Sequence, residues 1–178
     1  AFLLFLAAGS LNSAAHTVYY AFSTIHWKAA GIPDDTIGLL WSEGVIAEIV
    51  LFSVSGAAVR RCGPVGLLVL AGLGGVVRWT VLGLTTDLGW LVSVQFLHAA
   101  TFGCAHLGAM HFIQRSVPAG LSARAQGIYS AVAMGVVPGL MSPVTGRLYE
   151  ALSGHAFLVM TLLSALMALA AAKLQRLR

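Results

Sequence analysis

Charge is what this sequence has least of: Asp, Glu, Lys and Arg make up 9% of its 178 residues, where a soluble domain carries about 25%. Such a chain cannot cover itself with a water-soluble exterior, and its 58% hydrophobic content and mean hydropathy of +0.89 place it in a lipid bilayer. Cysteine is scarce too. Cys62 and Cys104 fall in a turn and inside a helix, which supplies neither a disulfide framework nor a metal knot; both read as packing residues. No basic stripe is present: the net charge of +4 comes from residues at helix ends, which points to membrane topology rather than a nucleic-acid surface. No cleavable signal peptide is evident, because Phe2-Leu3-Leu4-Phe5-Leu6 opens directly into a full-length span without a basic leader. The missing initiator Met reads as the mark of a fragment or trimmed chain.

What the sequence does have is long apolar runs. A membrane-spanning helix needs about 20 mostly apolar residues, and short polar breaks divide the chain into six such stretches, about 2–27, 35–59, 64–84, 88–114, 122–149 and 154–172. The expected fold is an all-α membrane protein, a single six-helix bundle over residues 1–178 with no room for a soluble domain. Gly31-Ile32-Pro33 stops the first helix, and Asp34 and Asp35 are placed to cap the second. Glycines 66, 72, 74, 75 and 83 give the third the small-residue face that lets helices approach closely in lipid. Pro138 and Pro143 predict a fifth helix kinked or broken near its outer half, with Gly135 and Gly139 at close-packing spacing. The plain Ala, Leu and Met sixth helix reads as a lipid-facing support.

The breaks alternate in charge. Arg60, Arg61, Arg115, Arg124, Lys173, Arg176 and Arg178 fall on one side, whereas Asp34, Asp35, Asp87 and Glu150 share the other with only Lys28 and Arg147. The positive-inside rule then places both termini in the cytoplasm of a plasma or inner membrane.

Within that frame the hairpin from Trp41 to Trp79 is the centre of interest, because it carries Glu43, Glu48 and Arg78 inside apolar helices. A charge at mid-membrane costs roughly 2.5 to 3.5 kcal/mol on insertion scales and marks a functional site. At 1.5 Å per residue Glu48 lies roughly 18 Å from the Arg60 end of its helix, near the midplane, and Arg78 about 22 Å from Gly63. Arg78 thus sits in depth between the two carboxylates and can pair with either. Five residues separate Glu43 from Glu48, about 140° around a helix, so the two face differently. His16 and His98 also reach the middle, and a layer of His16, Glu48, Arg78 and His98 is expected. A structural ion pair is the competing reading of Arg78. His106 and His111 fall toward the cytoplasmic interface. Tyr20 and Trp41 are candidate walls of a ligand cavity, and Trp79 reads as packing.

Gly56-Ala57-Ala58-Val59-Arg60-Arg61-Cys62-Gly63-Pro64 resembles the G-x-x-x-D-[RK]-x-G-[RK] turn of the major facilitator superfamily, keeping Gly56, Arg61 and Gly63 but with Arg60 in the acid's place and Pro64 at the last basic position. That weaker form is similar to the turn in the second half of the superfamily, which implies helices seven to twelve of a twelve-helix carrier and an N-terminal six-helix half as partner. The segments 15–22, 47–52, 78–79 and 97–103 resemble the phenylpropionate permease family, related to the oligosaccharide/proton symporters typified by lactose permease. The resemblance implies a secondary transporter, not an enzyme, driven by the proton gradient without a cofactor or metal, that takes up a small organic solute such as an aromatic carboxylate, a sugar or a nucleoside. By the same resemblance Arg78 and His98 match a coupling Arg and His, while the acid expected three residues after the His is Thr101 here, which passes proton coupling to Glu48 or Glu43, or else to the N-terminal half. A midplane carboxyl suits that role, since desolvation favours the neutral form of such a group and a nearby cation the charged one.

Two other classes compete. An intramembrane enzyme or redox protein needs a Gly-x-Ser-Gly nucleophile or paired histidines on facing helices, but Ser53 stands where that first Gly would be, and His98, His106 and His111 share one helix. A half-size structural protein acting as a homodimer is the other.

Overall fold

The computed structural model describes residues 1–177, so that Arg178, assigned above to the cytoplasmic side, lies outside the described residues. The chain is helical from end to end, with no strand among those residues. Helix α1 (Phe2–Ala29) closes on Gly31, whose φ of +85° lets the Gly31 and Ile32 N–H groups return to the carbonyls of Lys28 and Trp27. Pro33, not an aspartate, caps α2 (Asp34–Ser53); Asp34 and Asp35 lie in its first turn, where they favour the helix dipole instead. Asp34 also meets Lys28 Nζ at 2.9 Å.

After a loosened residue at Val54, α3 (Ser55–Leu84) carries the helix through Arg60, Arg61 and Cys62 and breaks at Gly63, whose φ of +66° divides it into 55–62 and 64–84. Pro64 follows as the first residue of the second piece, where its missing N–H costs nothing. Cys62 is exposed beside this turn, correcting its reading as a packing residue, whereas Cys104 is buried.

Asp87 caps α4 (Leu88–Gln95) by accepting from the Trp90 N–H at 3.2 Å. A widened π-helical segment, Ala99–Cys104, joins it to α5 (Ala105–Ser116). A second such segment, Ser130–Val136, links α6 (Ser122–Tyr129) to α7 (Val137–Leu152). It lies just upstream of Pro138, whose ring would clash with the Met134 carbonyl in a regular helix. The stretch stays helical through both prolines, so the break expected near its outer half gives way to widening near its middle. A turn at Ser153–His155 leads into α8 (Ala156–Arg176). Four stretches, Asp34–Ser53, Ser55–Leu84, Leu88–Ser116 and Ala119–Arg176, are long and apolar enough to cross a membrane. The count differs from the six stretches read in the sequence because Phe2–Ala29 is not among the four and because the fifth and sixth run on as one helical stretch through the tight turn at 153–155.

Helix α8 packs most extensively against α3 and then α1. The small residues of α3 make this possible: a Cβ on Gly72 would lie 2.7 Å from the Ala168 backbone nitrogen, and one on Gly83 would lie 3.0 Å from Leu158. Helix α8 is therefore more than a lipid-facing support, with Phe157, Met160, Met167 and Leu174 buried and Leu162, Leu166 and Leu169 outward. Gly139, in contrast, faces open space, because α7 buries only Thr145; a Cβ on Gly135 or Gly139 would meet no other helix within 4 Å among the described residues. Two apolar clusters result, one around Phe5, Leu67, Leu68, Phe112 and Met167 and the other around Trp27, Leu40, Trp79, Leu82 and Phe157. Where they meet, α1, α3 and the α4–α5 rod each contribute polar side chains.

Candidate functional site

Arg78 is the centre of that polar layer and is 0% exposed. Its Nη1 donates to His98 Nδ1 at 3.0 Å and to Thr101 Oγ1 at 3.1 Å, and its Nη2 donates to Gln95 Oε1 at 2.7 Å. The guanidinium carbon stands 4.2 Å from the centre of the Tyr19 ring and 4.9 Å from that of Trp79, a cation–π arrangement on two sides. Tyr19 in turn donates its hydroxyl to Gln95 Oε1 at 3.0 Å. Three of the five guanidinium N–H donors are thus engaged, all with neutral groups, and Nε is buried without a partner.

Backbone irregularity assembles this column. The Leu97 and Ala99 N–H groups bond three residues back, to the carbonyls of Val94 and Phe96. In such tight turns side chains three apart lie one above the other, which brings Gln95 and His98 to the same guanidinium; Thr101 follows inside the π-helical segment. The segment packs closely on α2, where a Cβ on Gly44 would lie 3.3 Å from His98 and one on Gly103 would lie 2.6 Å from Leu51.

The expected pairing of Arg78 with Glu43 or Glu48 is not what the structure shows. Among the described residues Arg78 forms no ion pair with a carboxylate, because the His98 ring stands between it and Glu48, with His98 Nε2 at 3.6 Å from Glu48 Oε2. A guanidinium only donates, so His98 Nδ1 accepts, and the single proton of the neutral ring sits on Nε2 facing Glu48. Glu43 has Oε1 buried and unpartnered.

His16 joins from α1. Its Nδ1 bonds to the Asn12 carbonyl at 2.8 Å, its ring meets Trp79 edge-on with centroids 5.0 Å apart, and the His98 ring lies 6.3 Å away. Beside it a cavity of about 360 Å³ opens between α1 and the two π-helical segments, with His16 and Tyr20 on one wall and Phe102, Met134 and Pro138 on the other, a volume in the range of small-ligand sites. Tyr20 is half exposed and stacks on both His16 and Trp41, and Trp41 Nε1 donates to Thr24 Oγ1 at 3.1 Å. Trp79 is buried and donates to Ser164 Oγ at 2.9 Å, as a packing residue would. Gly56, Arg61 and Gly63 belong to the turn and touch none of this layer. In the sequence Tyr19 reads only as an aromatic that could line a cavity, and Gln95 and Phe102 were missed as site residues; the signal present was spacing, since Tyr19 lies one turn from His16, and Gln95 and Thr101 lie three residues either side of His98.

A helical bundle with apolar outward faces around a buried cationic layer is an integral membrane protein. The chain belongs to the MFS_1 like family, whose model matches residues 1–160, in agreement with the superfamily resemblance of the basic turn. It is 43% identical over 160 residues to the probable 3-phenylpropionic acid transporter of Escherichia coli (strain K12), a match that covers 90% of this chain and 42% of that protein. The chain thus spans less than half the length of the curated relative it matches. No solved structure matches it.

Proposed function

We propose that this chain is the C-terminal six-helix half of a secondary transporter that takes up a small aromatic carboxylate together with protons. The observation that carries this reading is Arg78, a buried cation without a carboxylate partner, held by neutral groups beside two aromatic rings and with Nε free. A cation buried without a counter-ion is costly unless an anion completes it, and a guanidinium edge suits a carboxylate in geometry as well as charge. The name of the Escherichia coli relative, a probable 3-phenylpropionic acid transporter, fits such a cargo, and the cavity lined by Tyr20 and Phe102 suits its ring.

In this reading Glu48 is the proton-carrying group. His98 has no vacant nitrogen, because Nδ1 is held by Arg78 and Nε2 already carries its proton, so an incoming proton goes to the Glu48 carboxylate beside it. Protonation removes the charge opposite His98 and alters the restraint on Arg78, and cargo and proton are thereby linked. Both termini lie in the cytoplasm, in keeping with the basic breaks. The outward faces of α2 and α7, where few side chains are buried, leave room for the N-terminal half, and rocking of one half against the other exposes the site alternately. The test is uptake of labelled 3-phenylpropionate by cells expressing the full-length gene: accumulation that collapses with a proton ionophore is expected, and no uptake above empty-vector cells refutes the reading.

A further inference from the structure

We infer that the cavity between α1 and the two π-helical segments seats the cargo's ring and selects rings that carry a hydroxyl, with His16 as the acceptor. This rests on the proposed uptake of aromatic carboxylates. Both π-helical segments border the cavity, through Phe102 and Met134, and such segments gather at functional sites. One wall is apolar, formed by Phe102, Met134 and Pro138. The α1 wall is not.

A carbonyl only accepts, so the bond from His16 to the Asn12 carbonyl fixes the His16 proton on Nδ1. Nε2 is left as a bare acceptor, and it is buried with no partner. His16 as a whole is only 4% exposed. Thr17, on the same wall, donates its hydroxyl to the Ala14 carbonyl at 2.7 Å and so also offers only lone pairs. Asn12, Ser13 and Tyr20 on this wall carry donors of their own, but none of them meets His16 Nε2, and a buried acceptor left unmatched is costly. The complementary ligand is a flat apolar ring with a donor on its edge, a hydroxyaryl acid. Tyr20 stacks over the imidazole with ring centres 5.7 Å apart and, at 52% exposed, is free to turn aside as a ring enters. A site built to bond a hydroxyl discriminates strongly against the ligand lacking it.

The test is competition against labelled 3-phenylpropionate uptake in cells carrying the full-length protein, using the unlabelled acid and its 2-, 3- and 4-hydroxyphenyl counterparts. At least one counterpart competes about tenfold better than the unsubstituted acid, the effect of satisfying one buried acceptor. The readout is this ratio, so that changes in overall rate cancel. In His16→Phe the ratio falls toward one, in Thr17→Val it falls partway, and His16→Gln, whose amide both donates to Asn12 and keeps an acceptor, retains it. Wild type with no preference, or a preference that survives both His16→Phe and Thr17→Val, overturns the inference while leaving aromatic-acid uptake standing. Absence of uptake of every acid overturns the transport reading and this inference together.

Discussion

Replacing Thr101 by Asp sets a carboxylate of the protein's own in the place where the account needs one from the cargo. Thr101 Oγ1 lies 3.1 Å from Arg78 Nη1, and an aspartate of nearly the same size keeps its oxygens within salt-bridge reach. At 4 Å and an effective dielectric of about 20 the attraction is about 4 kcal/mol, which the cargo must then overcome for the same cation. That is a factor of about 10³ in affinity. The control is Thr101→Val, equal in shape, which strands one buried N–H at about 1 to 3 kcal/mol and adds no charge. Purified full-length protein should melt at a higher temperature as Thr101→Asp than as Thr101→Val, yet take up 3-phenylpropionate far more weakly. Equal uptake by the two variants would mean that Arg78 is a structural cation, and the anion-site reasoning would fall.

Three further outcomes are expected. Glu48→Gln abolishes the dependence of uptake on an imposed proton gradient; a gradient response as large as wild type, measured with the same labelled acid, removes Glu48 from coupling. Gly72→Ala forces a methyl to within 2.7 Å of the Ala168 backbone and should cost roughly 1 to 3 kcal/mol in thermal unfolding, whereas Gly127→Ala, with nothing within 4 Å, should be neutral or gain up to about 1 kcal/mol from helix propensity. Gly63→Ala meets open space but must hold φ at +66°, at a cost of roughly 1 to 2 kcal/mol, read as a lowered melting temperature with the polar layer intact.

The helical class was legible because apolar runs and Gly-Pro breaks are local signals, and Gly63 turns the chain within the Arg60 to Pro64 segment that the sequence marks. Arg78 and His98 were legible because a polar side chain stands out in an apolar run. Of their partners, Thr101 was named by the resemblance and Gln95 was not. A regular 100° step spreads Gln95, His98 and Thr101 over about 120° of a helix, and the tight turns and the π-helical segment bring all three to one guanidinium. For the same reason the direct Glu–Arg pairing failed: depth along a helix was readable from spacing, but the interposed imidazole depends on how α2 rests on Gly103. The role of α8 was hidden because a uniformly apolar helix carries no periodicity to show which face is buried, and its partner glycines lie on another helix. The exposure of Cys62 follows from a helix that runs to the edge of the turn instead of stopping at Val59.

The most direct test of the central claim is calorimetric binding of 3-phenylpropionate to the purified full-length protein and to its Arg78→Gln and Arg78→Lys variants. Binding to wild type, its loss in Arg78→Gln and a weakened residue in Arg78→Lys, which keeps the charge but not the guanidinium edge, is the predicted result. Binding of the same strength in Arg78→Gln would contradict the account.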